Sequence, residues 1–327
     1  KFIDMYAGRL RNQVSFMLSA CNFYMPIFEE ALDAYGLPLE LRYLPIIESA
    51  LNPSAVSRAG ASGLWQFMIG TGKIYGLESN SLVDERRDPI KATWAAARYL
   101  KEMYDIYGDW NLVIAAYNCG PGTINKAIRR ANGETDYWKI YNYLPKETRG
   151  YVPAFIAANY VMTYYCDHNI CPMETNIPAS TDTVQVNKNL HFEQIADLCN
   201  VPLDQIKSLN PQYKKQMIPG DSKPYTLRLP IDAISTFIDK QDTIYTHRAD
   251  ELFRNRKTVA VKDITPATRK TTSAVAGKGN LTYYTIKSGD TLSTIARKYG
   301  VTIKDIQRWN GMSSTKIAAG KRLKIYK

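Results

Sequence analysis

The stretch IIESALNPSAVSRAGASGLWQFM, residues 46–68, sets a carboxylate among apolar residues and follows it with a glycine-punctuated loop and a Trp-Gln-Phe-Met cluster. Leu41, Leu44, Glu48 and Leu51 fall at i, i+3, i+7 and i+10, which is one face of a helix. Glu48 therefore belongs to an apolar stripe, where desolvation raises a carboxyl pKa. A free glutamate, with a pKa of about 4.3, is already ionised at neutral pH, so such a shift is what makes it a proton donor there. The competing reading is a buried glutamate paired with Arg42 or Arg58.

Outward from this stretch, residues 1–172 read as helical throughout. PLELRYLPIIESAL opens at Pro38 and is expected to run as one helix to Asn52-Pro53. DPIKATWAAARYLKEMYDIY has Asp88 as N-cap, Pro89 in the first helical position and Gly108 as its stop. DWNLVIAAYN is halted by CGPG, and KETRGYVPAFIAANYVMTYY is expected to kink near Pro153. After CPMETNIPASTD the pattern changes to short strands around paired short helices, and a repeat emerges. The segment from Val184 aligns without a gap on the segment from Tyr284, Ile195 meeting Ile295, Ala196 Ala296, Val201 Val301, Ile206 Ile306 and Asn210 Asn310. Each copy reads strand, helix, helix, strand. Between them RKTVAVKDITPATRKTTSAVAGKGN is poor in large apolar residues and reads as a tether. The expected division is a helical catalytic domain at 1–175, a first repeat copy at 182–231, a linker at 232–281 and a second copy at 282–327.

With 327 residues, 45% of them hydrophobic, the chain has material for several packed cores and is not a disordered protein. The net charge of +11 is unevenly placed: residues 1–175 hold 17 basic against 18 acidic side chains, and residues 282–327 hold 10 against 2. A basic end suits an anionic or polymeric partner, and charge alone would equally describe a solvated surface. No stretch is apolar enough to span a membrane, and KFIDMYAGRLRN lacks the order of a signal peptide. The chain begins without Met, so an outer-membrane anchor on a preceding segment stays open as an expectation. The five cysteines lack CxxC spacing, which argues against zinc, and pairing of Cys166 with Cys171 is left open. No metal and no cofactor are expected.

The second copy, YYTIKSGDTLSTIARKYGVTIKDIQRWNG, closely resembles a LysM domain, a βααβ module whose members bind N-acetylglucosamine-containing glycans such as peptidoglycan and chitin. The resemblance assigns glycan binding to Gly289, Asp290, Thr291 and Asn310. The first copy has Asn189, Leu190 and His191 at the first three of these places, which points to a copy that keeps the fold and not the binding. This pattern accounts for residues 282–327 better than charge does, so no nucleic-acid partner is expected.

Three constellations in the helical part, IIES with SRAGASGLWQFM, AAYNCGPG at 115–122 and ETRGYVPAF at 147–155, together resemble the lytic transglycosylase family related to goose-type lysozyme. The fold implied is multidomain: an all-α lysozyme-like catalytic domain followed by small α+β LysM modules. Ordinary glycosidases need two carboxylates, and these motifs offer only Glu147 beside Glu48. The resemblance supplies the alternative, in which Glu48 alone serves as acid and then base while the 6-hydroxyl of N-acetylmuramic acid attacks the anomeric carbon, leaving a 1,6-anhydro sugar. It further implies that Ser57 contacts the N-acetyl region and that Gln66 and Met68 touch substrate. Tyr117 and Asn118 would form the cleft floor, Glu147 a subsite carboxylate, and Tyr151 a hydrogen-bond partner of the acid. Gly60 and Gly63 are expected to supply tight turns. Cys119 reads as packing, since no histidine lies in the motifs to activate it. The partner implied is peptidoglycan glycan, and the location the periplasm or cell envelope. A hydrolytic muramidase or chitinase on the same fold, and a non-catalytic wall-binding protein, are the alternatives.

Overall fold

The structure, a computed structural model, describes residues 1–253 apart from 176 and 179, residue 263, and residues 281–326 apart from 288, 311, 313, 314 and 316. It divides into two compact units, Lys1–Ile264 and Thr265–Lys327.

The first unit begins with helices α1 (Phe2–Asp4), α2 (Arg11–Ala34), α3 (Leu44–Ser49), α4 (Ile69–Ile74), α5 (Pro89–Tyr107), α6 (Trp110–Cys119), α7 (Pro121–Arg130), α8 (Tyr137–Ile140) and α9 (Lys146–Thr163). The capping signals act as the sequence implies. The Asp88 side chain accepts from the Ile90 and Lys91 amides ahead of Pro89, and Gly108 closes α5 at φ +63°. Asp109 accepts from the Leu112 amide, and Gly120 ends α6 at φ +81°. Leu112 through Ala116 are all buried, the mark of a helix enclosed on every side. Alanines 92, 95 and 96 of α5 let it pack closely on α2 and α6. Phe28, Leu44, Trp65, Leu100 and Val152 belong to the same core. Helix α9 continues through Pro153.

The expected single helix from Pro38 to Asn52 is instead broken. Leu39–Tyr43 is a 3-10 turn, α3 carries only Leu44–Ser49, and Ala50 and Leu51 both take left-handed backbone at φ 52° and 58°. Of the predicted helical stripe only Leu44 and Glu48 share α-helical geometry. Leu41 and Leu51 are nonetheless buried at 2% and 1% exposure, because the turn and the reversal fold them back onto the same core.

The same unit continues into the first repeat copy: β1 (Thr181–Val186), β2 (Asn189–His191), α10 (Phe192–Cys199), α11 (Leu203–Leu209), β3 (Met217–Pro219) and β4 (Tyr225–Pro230). Strands β1 and β4 pair antiparallel, Thr181 opposite Pro230 through Val186 opposite Tyr225, and β2 pairs with β3. Helices α12 (Ile231–Asp239), α13 (Gln241–Thr246) and α14 (Ala249–Leu252) follow. The expectation of a linker from residue 232 fails over this stretch. Ala233, Phe237, Ile244 and Tyr245 are buried in the core of the copy, where they cover α10 and β1. Most of the remaining expected linker, 254–262 and 264–280, lies outside the described residues.

The second unit holds β5 (Leu281–Thr285), α15 (Leu292–Tyr299), α16 (Ile303–Asn310) and β6 (Arg322–Tyr326), with β5 and β6 antiparallel over a small core containing Ile295, Ile306, Trp309, Leu323 and Ile325. The two copies share their internal bonds. Asn210 donates to the Ile206 and Arg228 carbonyls and accepts from the Arg228 amide at 2.8–2.9 Å. Asn310 does the same with Ile306 and Lys324. His191 with Gln194 and Thr291 with Thr294 form reciprocal caps.

Candidate active site

Glu48 sits one residue from the C-terminal end of α3. The Tyr151 hydroxyl, from α9, donates to its Oε1. Burial pushes the Glu48 carboxyl up, the Tyr151 hydrogen bond pulls it down, and the charge of Glu147 adds an upward push, for a net value of about 7. The competing reading of a salt-bridged structural glutamate does not hold. Arg42 is paired with Glu29 and bonds the Tyr43 hydroxyl at 3.2 Å, and among the described residues Glu48 has no basic partner.

Ser49, beside it, donates through Oγ to the Leu64 carbonyl at 2.9 Å and so ties α3 to the loop 55–67. That loop is built of tight turns. Ser57 Oγ accepts from the Ala61 amide at 3.0 Å, and Gly60 and Gly63 hold φ +87° and +89°. At Gly63 a Cβ would sit 1.7 Å from the Arg86 carbonyl oxygen, so only glycine fits. Gln66 is left-handed at φ 47°, its side chain donating to the Gly63 carbonyl at 2.8 Å. Ala50, Leu51 and Gln66 thus place three non-glycine left-handed residues around one carboxylate, each costing about 1–3 kcal/mol and held by the surrounding bonds.

Glu48, Ser57 and Gln66 line one open cavity of about 510 Å³. The other predicted residues stand at different removes. Tyr117, at the end of α6, donates to the Trp65 carbonyl at 2.7 Å; burial, and after it the Glu48 charge, hold its hydroxyl far above the usual tyrosine range. Asn118 accepts from Thr148 Oγ1 at 2.8 Å. Glu147 is exposed in the first turn of α9, one turn before Tyr151. Met68 is 46% exposed at the start of α4. Burial raises the Cys119 thiol, which is consistent with a packing role. Cys166 and Cys171 are exposed free thiols.

Sequence reasoning missed the other wall. Met5, Tyr6, Leu10, Gln13 and Met17 line the cavity opposite the loop, and Tyr6 is buried, its hydroxyl pushed up to about 12. Nothing in the N-terminal residues forms a motif; Met5 and Tyr6 come from a π-helical turn, Met5–Arg9, that packs on α9 and α2, and Gln13 and Met17 from α2 itself.

In the second unit, all four predicted glycan-contacting residues have internal duties. Gly289 turns at φ +89°, Asp290 accepts from the Tyr284 hydroxyl and the Lys287 amide at 2.8 Å, Thr291 caps α15, and Asn310 clamps β6. Beside them Ile286, Asn310, Met312, Ile317, Lys321 and Arg322 line a groove of about 410 Å³.

Residues 25–140 match the transglycosylase SLT domain, residues 180–246 the LysM-like domain of lytic transglycosylase MltD, and residues 284–325 the LysM domain. The chain carries an SLT domain followed by two LysM-type modules. Its SLT match contains Glu48, Ser57, Gln66, Met68, Tyr117 and Asn118, while Glu147 and Tyr151 lie beyond it. The LysM-like match extends over α12 and α13, in keeping with their burial. The chain is 33% identical over 294 residues to the membrane-bound lytic murein transglycosylase D of Escherichia coli K12, covering 89% of this chain and 60% of the relative. It is also 33% identical over 124 residues to the soluble lytic murein transglycosylase of the same organism, covering 36% of this chain and 19% of that one. The 70-kDa soluble lytic transglycosylase structure from Escherichia coli aligns with TM-score 0.38 at 29% identity, over 44% of this chain and 24% of that chain. Among the described residues no helix is long and apolar enough to cross a membrane.

Proposed function

We propose that the chain is a peptidoglycan lytic transglycosylase of the cell envelope, cleaving the β-1,4 bond between N-acetylmuramic acid and N-acetylglucosamine and leaving a 1,6-anhydro end. The observation that carries this reading is Glu48: a carboxyl in an open cleft, raised to about 7, bonded by Tyr151 and, among the described residues, unpaired with any cation. Half-protonated near neutrality, it can both give and take a proton. Protonated Glu48 donates to the glycosidic oxygen as the bond from the anomeric carbon breaks. The resulting carboxylate then takes the proton of the muramic acid 6-hydroxyl as that oxygen bonds the anomeric carbon. The proton count closes and no water enters.

In this reading Tyr151 orients Glu48 in its ionised state. Ser57 and Gln66 contact substrate from the loop, Ser57 toward the N-acetyl group, with Met68 at the outer rim and Tyr117 and Asn118 supporting the floor. Glu147 is a subsite carboxylate whose charge helps keep Glu48 protonated. The module at 282–327 holds the enzyme on glycan, through Gly289, Asp290, Thr291, Asn310 and the adjoining groove. The similarity to a membrane-bound relative extends the reading to an anchor on a segment preceding residue 1. Mass spectrometry of sacculus digests tests it: the wild type is expected to release anhydro-ended muropeptides and Glu48→Gln at least about 100-fold fewer. Release of such products by Glu48→Gln at the wild-type rate would overturn the assignment.

A further inference from the structure

The first LysM-type copy is joined to the catalytic domain by backbone bonds. Between α4 and α5, the Asp84 amide donates to the Gln212 carbonyl at 2.9 Å, the Lys214 amide donates to the Leu82 carbonyl at 2.8 Å, and Val83 bridges Tyr213. Leu82 and Val83 are buried in the core of the copy, not in that of the helical domain. Lys214 Nζ donates to the Asn80 carbonyl at 2.8 Å and stands 3.7 Å from Asp84 Oδ2. Lys223 pairs with Glu78 at 2.6 Å, and the Tyr225 hydroxyl donates to the same carboxylate at 3.1 Å.

Two residues on, Arg86 connects this edge to the cleft. It is 4% exposed; Nε and Nη2 donate to the two Asp84 oxygens at 2.9 and 2.8 Å, while Nη1 donates to the carbonyls of Gly60 at 2.8 Å and Phe67 at 2.9 Å. Burial alone would raise the Asp84 carboxyl, and the Arg86 fork outweighs it, so Asp84 stays ionised below the usual aspartate range. Arg87 Nε donates to Ser62 Oγ at 3.1 Å, and the Arg86 carbonyl fills the space a side chain would need at Gly63. The loop that presents Ser57 and Gln66 is thus held at both its turns by a segment whose other side is fastened to the repeat copy.

We propose that the first LysM-type copy is a positioning element of the catalytic cleft, acting through Lys214, Asp84 and Arg86 on the loop 57–67. The proposal rests on the activity proposed above for that cleft. Removing the Lys214 ammonium takes away one of the cations that hold Asp84 ionised together with a bond to the Asn80 carbonyl, and the loosening passes through Arg86 to the Gly60 and Phe67 carbonyls. Because this loop carries substrate contacts and Glu48 does not lie on it, binding should suffer more than chemistry.

The test uses the full chain with Lys214→Met and Lys214→Arg, read by amide exchange and by turnover of short soluble glycan fragments. In Lys214→Met, exchange at the Ser62, Gly63 and Gln66 amides should quicken about tenfold with α5 unchanged. KM should rise about tenfold while kcat stays within about twofold and its pH profile does not move. Lys214→Arg should restore both readouts. Wild-type exchange and KM in Lys214→Met would overturn the proposal. So would a lower kcat at unchanged KM with α5 exchange also quickened, which is the signature of a merely destabilised fold. Should the wild type cleave no glycan, the activity reading fails by itself, and the exchange arm still decides whether Lys214 governs the loop.

Discussion

The two LysM-type copies make the same internal bonds and differ in what surrounds them. Asn210 and Asn310 clamp the last strand in the same way, and His191 and Thr291 cap the equivalent helix. The first copy is sheathed by α12 and α13 and fastened edge-on to residues 80–84; the second forms its own unit, with ten basic side chains against two acidic over 282–327. The lesson is that one βααβ frame can be packed into a larger unit or form a unit of its own, depending on whether its free surface is covered by a neighbour.

The largest expected effect removes the proposed chemistry itself. Glu48→Gln should lower cleavage of sacculi and of soluble fragments alike by about 10²–10⁴-fold, the usual worth of general acid catalysis. A variant that lost activity on only one substrate would show that Glu48 acts through binding. Next, deleting 282–327 should weaken retention on insoluble sacculi and slow their digestion while leaving soluble-fragment turnover unchanged, because a tethered binder raises local substrate concentration and nothing else. An equal loss on both substrates would erase the distinction between the copies. Smaller still, Asn210→Ala should cost on the order of 2–4 kcal/mol in thermal or denaturant unfolding, and Asn310→Ala about 1–2 kcal/mol. Both lose three bonds, but Asn210 is 1% exposed and its orphaned backbone groups cannot reach water, whereas Asn310 is only partly buried.

The last effect is a pH dependence. Glu48 is raised on folding from an ordinary glutamate value to about 7, so its protonated form is favoured in the fold. The contribution is fully present below the unfolded pKa and is lost as pH rises through about 7. Glu48→Gln should therefore be more stable than the wild type at pH 8 by on the order of 1–3 kcal/mol, read as a higher unfolding temperature, with the gap closing near pH 4. For the same reason kcat should fall as pH rises through about 7, without a second carboxylate shaping an acidic limb. No gap at pH 8 would mean that folding does not raise the Glu48 carboxyl above its ordinary value.

Much of this was legible in the residues because it is local. Asp88, Pro89, Gly108 and Asp109 mark helix ends by the hydrogen bonds their own neighbours need, and the repeat is visible because equivalent positions fill equivalent cores. Glu48 stands out by its apolar company, although its helix stops at Ser49 and the stripe is completed by Leu41 in a 3-10 turn and left-handed Leu51, which no periodicity encodes. What stayed hidden is long-range. Tyr6 and Gln13 reach the cavity only through packing, and the 80–84 edge meets 212–214 across more than a hundred residues. Phe237 and Ile244 read as linker in the sequence because their helices lie outside the repeated segment.

The central claim, that one carboxylate serves as acid and base while the sugar supplies its own nucleophile, is tested most directly by digesting sacculi in oxygen-18 water and weighing the new muramic acid ends. The account predicts 1,6-anhydro ends carrying no label. Oxygen-18 at those ends would show that water is the nucleophile and that the enzyme is a muramidase.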